Sequence, residues 1–315
     1  MATIAVGIVA YGPIAGITWP ASLQLLNLGS TFNQPIDTVA WPPSFEYLNI
    51  GFRFNQPIAG VPWPPSLPQL TFGYCFNQPI DTVAWPPSLE SLDLGFFNQP
   101  IAGVTWPASL TRLTLGITFN QALDMVALPR SLKRISFGHS FNQPIGGVQW
   151  PPSLEILNLG CRFNQPIAGV PWPPSLRQLT FWHCFIQPVG GAQWPPSLEI
   201  LNLGSRFDQP IARVPWPSSL RQLKFGHCFN QPVARAMWPP SLTFGDDFNQ
   251  AITGAKWSPS LENLTFGRDF NQPIAAVAWP PSLQKLTFGL CFNQPTADVS
   301  WPDTLGDISF LVENS

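Results

Sequence analysis

Two sorts of side chain in this sequence could do chemistry. The first is a column of metal-ligand types: His139, Cys161 and His183 each stand two residues before a phenylalanine (Phe141, Phe163 and Phe185), and those phenylalanines are 22 residues apart. If 22-residue units stack in register, the three residues fall on consecutive coils, and imidazole nitrogen and thiolate sulfur are zinc ligands. The competing reading is that turn residues were copied with the repeat, since His227 keeps the same column. That reading is preferred, so neither a metal nor any other cofactor is expected. The second sort is cationic. Arg112, Lys133, Arg134, Arg177, Arg221 and Lys224 crowd the middle of a chain that is otherwise poor in charge.

Catalysis needs unlike groups gathered at one place, whereas a repeat supplies columns of like ones. The chain has three histidines, and no Ser-His-Asp set or carboxylate pair stands apart from its repeats. No catalytic residues are expected, and the chain reads as non-enzymatic. A β-helix lyase or hydrolase is the enzyme alternative, and the few scattered acids argue against it.

The charge is segregated. Residues 1–105 hold one basic group and five acids, net −4. Residues 106–240 hold eleven basic groups and four acids, net +7, and residues 241–315 hold three and eight, net −5. A cationic stretch of this kind steers acidic protein surfaces toward it, less strongly as salt rises. No nucleic-acid partner is expected.

What positions these residues is a repeat. A core Phe recurs at 32, 54, 76, 97, 119, 141, 163, 185, 207, 229, 248, 270 and 292, at intervals of 22 residues except for one of 21 and one of 19. With a degenerate leading copy, this makes about fourteen units. A fixed period in this range marks a solenoid, in which each unit stacks on its neighbours. Proline is abundant (38 of 315) and charged residues are only 10%. Proline at that level suggests disorder, but here it is periodic and interleaved with Phe, Trp, Leu and Ile, which a disordered chain lacks. It also excludes helices of useful length.

One unit predicts its own shape. In Leu157-Asn158-Leu159 the apolar–polar alternation has the period of a half-buried strand. Gly160 then ends the strand, where positive φ is cheap for glycine. Phe163 enters the core, and the amides of Asn164 and Gln165 serve the backbone of the bend. Ile167, Val170 and Trp172 are the inward residues of a second extended segment, and Pro173-Pro174 makes a stiff corner.

The run Leu154, Leu157, Leu159, Gly160, Phe163, Asn164, Pro166, Ile167, Pro174, Ser175 and Leu176 resembles the FNIP repeat family, a 22-residue variant of the leucine-rich repeat. The resemblance covers nearly the whole chain. It implies an all-β, leucine-rich-repeat-like solenoid over residues 1–315, used for protein interaction, with the outward strand residues forming the ligand face. The first coil, 1–22, is degenerate, the coil near 241–248 is irregular, and the last spans 296–315. Where the family has an aliphatic residue this chain places Trp, and it adds a second Pro.

Three further expectations follow. The three residues missing between Phe229 and Phe248 should cost a strand leucine and make the ladder bend or slip. The end at Phe310-Leu311 shows no polar cap, so end-to-end self-association is the alternative to a scaffold. A Trp held before Pro in almost every coil is a packing element rather than an aromatic strip for carbohydrate. The outward column that includes Asn49, Thr71 and Asn158 reads as a solvated face, not an ice-binding one. No signal peptide or membrane span is evident, and five scattered cysteines do not form a disulfide framework, so a reducing intracellular setting is read.

Overall fold

Each repeat folds as one short strand followed by three turns, and the reasons are local. The strand is three residues long in every coil from Leu25–Asn27 to Asn263–Thr265 and four in the last two coils, because glycine and proline close it off on either side. In the computed structural model, which describes residues 6–7, 12–234 and 238–311, the chain divides into two compact units, Met1–Gly160 and Cys161–Ser315. Much of the degenerate first coil and the terminal 312–315 lie outside the described residues.

The first unit contains β1 (Val6–Gly7), β2 (Leu25–Asn27), β3 (Tyr47–Asn49), β4 (Gln69–Thr71), β5 (Ser91–Asp93), β6 (Arg112–Thr114), β7 (Arg134–Ser136) and β8 (Ile156–Asn158). The second contains β9 (Gln178–Thr180), β10 (Ile200–Asn202), β11 (Gln222–Lys224), β12 (Ser241–Thr243), β13 (Asn263–Thr265), β14 (Lys285–Phe288) and β15 (Asp307–Phe310). Within each unit every strand pairs with the next in parallel, and no described residue is helical. The fold is an all-β parallel solenoid, as the repeat predicts.

From β2 to β14, register is held by the second residue of each strand, which is apolar and buried. Leu48 pairs with Leu70, Leu70 with Leu92 and Leu92 with Leu113; in the second unit Leu201 pairs with Leu223 and Leu264 with Leu286. A slip by one residue would bury the polar neighbours instead. Behind the strands, the repeat phenylalanines from Phe32 to Phe270 are fully buried, and they stack on neighbouring coils, as with Phe32 and Phe54 at 6.1 Å between ring centroids. Each such ring contributes about 1.5–3 kcal/mol of burial. No coil has an interior of its own, so that energy exists only in the stack.

The second extended segment expected from the sequence is not a strand. Ile167, Val170 and Trp172 are buried as predicted, but the chain there closes as two β-turns. The Val170 N–H donates to Ile167 O at 3.4 Å, and Leu176 N–H to Pro173 O at 3.1 Å. Pro174 is then the second residue of a turn, where its fixed φ fits. The third turn follows the strand, with Phe76 N–H donating to Gly73 O at 3.3 Å.

Polar repeat residues bond between coils. The Asn55 side-chain oxygen accepts from Asn77 N–H at 2.8 Å, and the Gln78 side-chain amide donates to Asn55 O at 2.9 Å. The same pair of bonds links Asn98 to Asn120 and Gln121. The turn serine does likewise on the other side, the Ser109 hydroxyl lying 2.8 Å from both Pro87 O and Leu89 O. These side chains satisfy backbone groups that a strand of three residues leaves over.

The short coil corrects an expectation. β12 keeps register, Leu242 pairing with both Leu223 and Leu264. The three missing residues come out of the turn before the strand: the buried leucine that stands there in the neighbouring coils, Leu220 and Leu261, is lost as expected, but the ladder does not slip.

Candidate functional site

The outward residues of the strands, and those just before them, carry the cations singled out in the sequence. In the first unit, Arg112 and Arg134 open β6 and β7 and face each other in register, both exposed. Neither forms an ion pair among the described residues. Like charges placed opposite on adjacent strands are destabilising. Lys133, one residue before β7, lies 3.7 Å from the Glu155 carboxylate.

In the second unit the same pre-strand column alternates in sign. Arg177 donates from Nη2 to Glu199 Oε1 at 2.6 Å, so this cation is already paired. Arg221, next in the column, forms no ion pair among the described residues, and Lys224 ends β11 exposed. The six predicted residues thus occupy three different columns: Arg112 and Arg134 at the first strand position, Lys224 at the last, and Lys133, Arg177 and Arg221 before the strand.

The metal-type column is not brought together. Among the described residues no group of three or more His, Cys, Asp or Glu side chains could hold a metal ion, and His139, Cys161 and His183 make no such group. All five cysteines are free thiols. The histidine that does find partners is His227, whose Nδ1 is 2.9 Å from Asp246 Oδ2 and whose Nε2 is 3.3 Å from Asp247 Oδ1. The hydrogen bond to Asp246, then the charge of Asp247, hold this imidazole above its usual pKa. Only the 19-residue spacing, read as one coil, would have revealed that pair.

Two features of the first unit were missed. Phe52 and Tyr74, each about half exposed, stack at 5.2 Å, and Tyr74 lies 4.8 Å from Phe96. The signal was a column, the residue after the repeat glycine, that turns aromatic in three successive coils. Beside this ridge, Asp93 ends β5, and burial pushes its carboxyl pKa up even though Gly95 N–H donates to it at 3.0 Å. Asn27, Asn49 and Asn202 accept the equivalent bond.

Tryptophans of the Trp-Pro column pack inside the coils, whereas Trp182, outside that column, is half exposed. Trp63, Trp85, Trp150 and Trp172 are at most 9% exposed, and Trp63 meets Phe72 edge to face at 6.3 Å. Ring faces packed in this way are closed to a sugar.

Short parallel strands, one per 22-residue coil, with apolar columns inside and a polar strand face outside, define a leucine-rich-repeat-like solenoid. The FNIP Repeat model matches residues 54–96, 97–140, 141–184, 187–228 and 248–291, and the chain belongs to that repeat family. The short coil falls between two of the matches. Among solved structures, the chain is similar to CroV588, described as a novel circular LRR protein, at 38% identity and a TM-score of 0.80 over 93% of this chain. It spans only 47% of CroV588. YopM from Yersinia enterocolitica matches at 20% identity (TM-score 0.35, covering 93% of this chain and 84% of its own), and the internalin inlF from Listeria monocytogenes at 14% (0.47, 84% and 80%). No curated protein sequence matches the chain. No helix among the described residues is long and apolar enough to cross a membrane.

Proposed function

We propose that this chain is a non-enzymatic scaffold that binds an acidic protein surface through its basic strand residues. The observation that carries the reading is the pairing of Arg112 with Arg134. Two exposed guanidinium groups opposed in register repel, and neither forms an ion pair among the described residues. A partner carboxylate relieves that repulsion and forms charge-assisted hydrogen bonds with the planar guanidinium forks. Lys224 extends the same chemistry in the second unit. Arg177 contributes less, because Glu199 already holds it. The leucine-rich-repeat architecture is one commonly used for protein–protein interaction, which agrees with this role.

Changing Arg112, Arg134 and Lys224 together to Ser leaves every buried column intact. The variant is expected to fold as the parent does and to lose partner capture in a pull-down, and parental capture is expected to weaken as salt rises. Unchanged capture by the triple variant, or capture insensitive to salt, overturns the reading.

A second reading, self-association, is favoured by β15. Ile308, Phe310 and Leu311 of that region are 38%, 49% and 51% exposed, an apolar strand edge of the kind that pairs with another chain. Growth in particle size over a concentration series would support it, and a constant monomer mass would exclude it.

A further inference from the structure

In the first unit, the outward column formed by the last residue of each strand runs from Asn27 to Asn158, and Asp93 is its one carboxylate among Asn, Thr and Ser. It stands between Thr71 on one side and Thr114 on the other. One of its oxygens, Oδ1, accepts the Gly95 N–H at 3.0 Å. No hydrogen bond or ion pair from a described residue reaches the other. Arg112, two residues before Thr114 on the same face, forms none with it. The Thr71 and Thr114 hydroxyls are likewise without a hydrogen bond among the described residues.

A pocket of about 400 Å³ opens over this carboxylate. That volume falls within the range of about 300–1,000 Å³ usual for ligand clefts. Thr71, Asp93 and Thr114 form its floor, and the column after the repeat glycine forms a wall, with Phe52, Tyr74 and Ile117 lining it. Phe52 and Tyr74 are about half exposed and nearly parallel at 5.2 Å, and Phe96 backs Tyr74 at 4.8 Å. The rings therefore make a continuous apolar strip along the carboxylate.

An apolar strip beside a half-buried anion suits a ligand that is apolar along its length and cationic at its tip. Lys and Arg side chains are built that way. Arginine suits this floor better, because its planar fork offers several donors at once. The acceptors here stand in a row, a hydroxyl on either side of the free carboxylate oxygen, on strands about 4.8 Å apart. The surroundings carry the matching charge: residues 1–105 hold five acids against Arg53 alone.

We propose that this pocket receives an arginine side chain of a partner protein, its methylene stem along the Phe52–Tyr74 strip and its guanidinium on Asp93. The flanking threonine hydroxyls accept the remaining N–H groups of the fork. Burial holds the Asp93 carboxyl above the usual carboxylate range, as expected of an anion whose counter-charge comes from outside. The site does not rest on the acidic partner surface proposed above, since the charge it requires is the opposite.

The test uses the full chain and the acetylated, amidated pentapeptide Gly-Ser-Arg-Ser-Gly, titrated by ligand-observed NMR at the arginine methylene protons. Saturable binding is expected, with the citrulline counterpart, which keeps the shape and loses the charge, about tenfold weaker. The lysine counterpart should fall between the two. Asp93→Asn keeps the turn bond that Asn49 makes, so it should fold and bind the arginine and citrulline peptides alike. Should it not fold by circular dichroism, the citrulline comparison on the parent decides. Replacing Phe52 and Tyr74 together by Ser should weaken both peptides and leave the preference for charge. The triple variant of Arg112, Arg134 and Lys224 keeps the pocket and should bind the arginine peptide at least as well as the parent, so this site and the acidic-partner reading fail separately. Equal affinity for the arginine and citrulline peptides, or a parental preference in Asp93→Asn, overturns the proposal. Lysine bound as tightly as arginine overturns it by reducing the pocket to a general cation site, and displacement by millimolar methyl glucoside overturns it in favour of a sugar.

Discussion

Replacing Gly138 by alanine is the sharpest test of how the coils are packed. A Cβ added there would lie 2.0 Å from Gly116 O and 2.5 Å from the Cα of Ile117, both backbone atoms. A carbon meets a carbonyl oxygen comfortably at about 3.3–3.6 Å, so the two coils must part by roughly 1 Å or more. The backbone bond from Ser140 N–H to Ile117 O, now 3.0 Å, would pass out of hydrogen-bonding range, and the stack of Phe119 on Phe141 at 6.1 Å would loosen. A lost bond costs about 0.5–1.5 kcal/mol and forced overpacking about 1–3 kcal/mol. The expected loss is therefore about 2–4 kcal/mol. Gly60→Ala is the control: its φ is +77° but nothing lies within 4 Å of the added Cβ, so only backbone strain of about 1–2 kcal/mol applies. The assay is urea unfolding followed by near-ultraviolet circular dichroism. Midpoints are to be compared, because a solenoid need not unfold in one step. If Gly138→Ala costs no more than Gly60→Ala, close approach between coils is not what demands the repeat glycine.

Asp93→Asn is expected to stabilise the chain at neutral pH and to change little at pH 3. The folded carboxyl pKa is raised by burial, so the fold disfavours the ionised form above the carboxylate range, and Asn makes the same turn at Asn27, Asn49 and Asn202; thermal melts at the two pH values check this. His227 titrates in the opposite functional sense, facing Asp246, Asp247 and, further off, Asp269. Because its folded pKa lies above the unfolded value, its stabilisation is complete below that unfolded value and fades as pH rises through the folded one. An NMR titration of the imidazole should show the raised midpoint, and Asp246→Asn should lower it. Met125 is 93% exposed with φ of +65°, where an L side chain is strained. Met125→Gly should raise stability by about 1 kcal/mol in urea unfolding, since nothing buried is lost.

The solenoid, its period and the contents of its columns were legible in the amino-acid sequence alone. A 22-residue recurrence of Phe, Leu and Ile can bury those groups only by stacking, so Phe163, Leu157, Ile167 and Trp172 had to face inward wherever the coils lay. It also located the cationic residues, because charge counts need no coordinates. Distances between coils were not legible there, because they depend on how the turns pack in space. The repeat glycine read from sequence as a place for positive φ; Gly29, Gly51, Gly95 and Gly204 do adopt it, but Gly138, Gly226 and Gly267 do not, and at each of these a Cβ would strike the backbone of the coil before. The second extended segment closed into turns, since Pro174 and Gly169 satisfy turn geometry more cheaply than a second ladder with no donor at each proline. Which cations remain unpaired was likewise decided in space. Arg177 and Arg221 are alike in sequence, yet Glu199 stands one coil after the first and Pro240, which has no charge to offer, one coil after the second. A three-residue deletion is one irregular interval in a string of letters, and only stacking shows that the ladder runs through it unbroken.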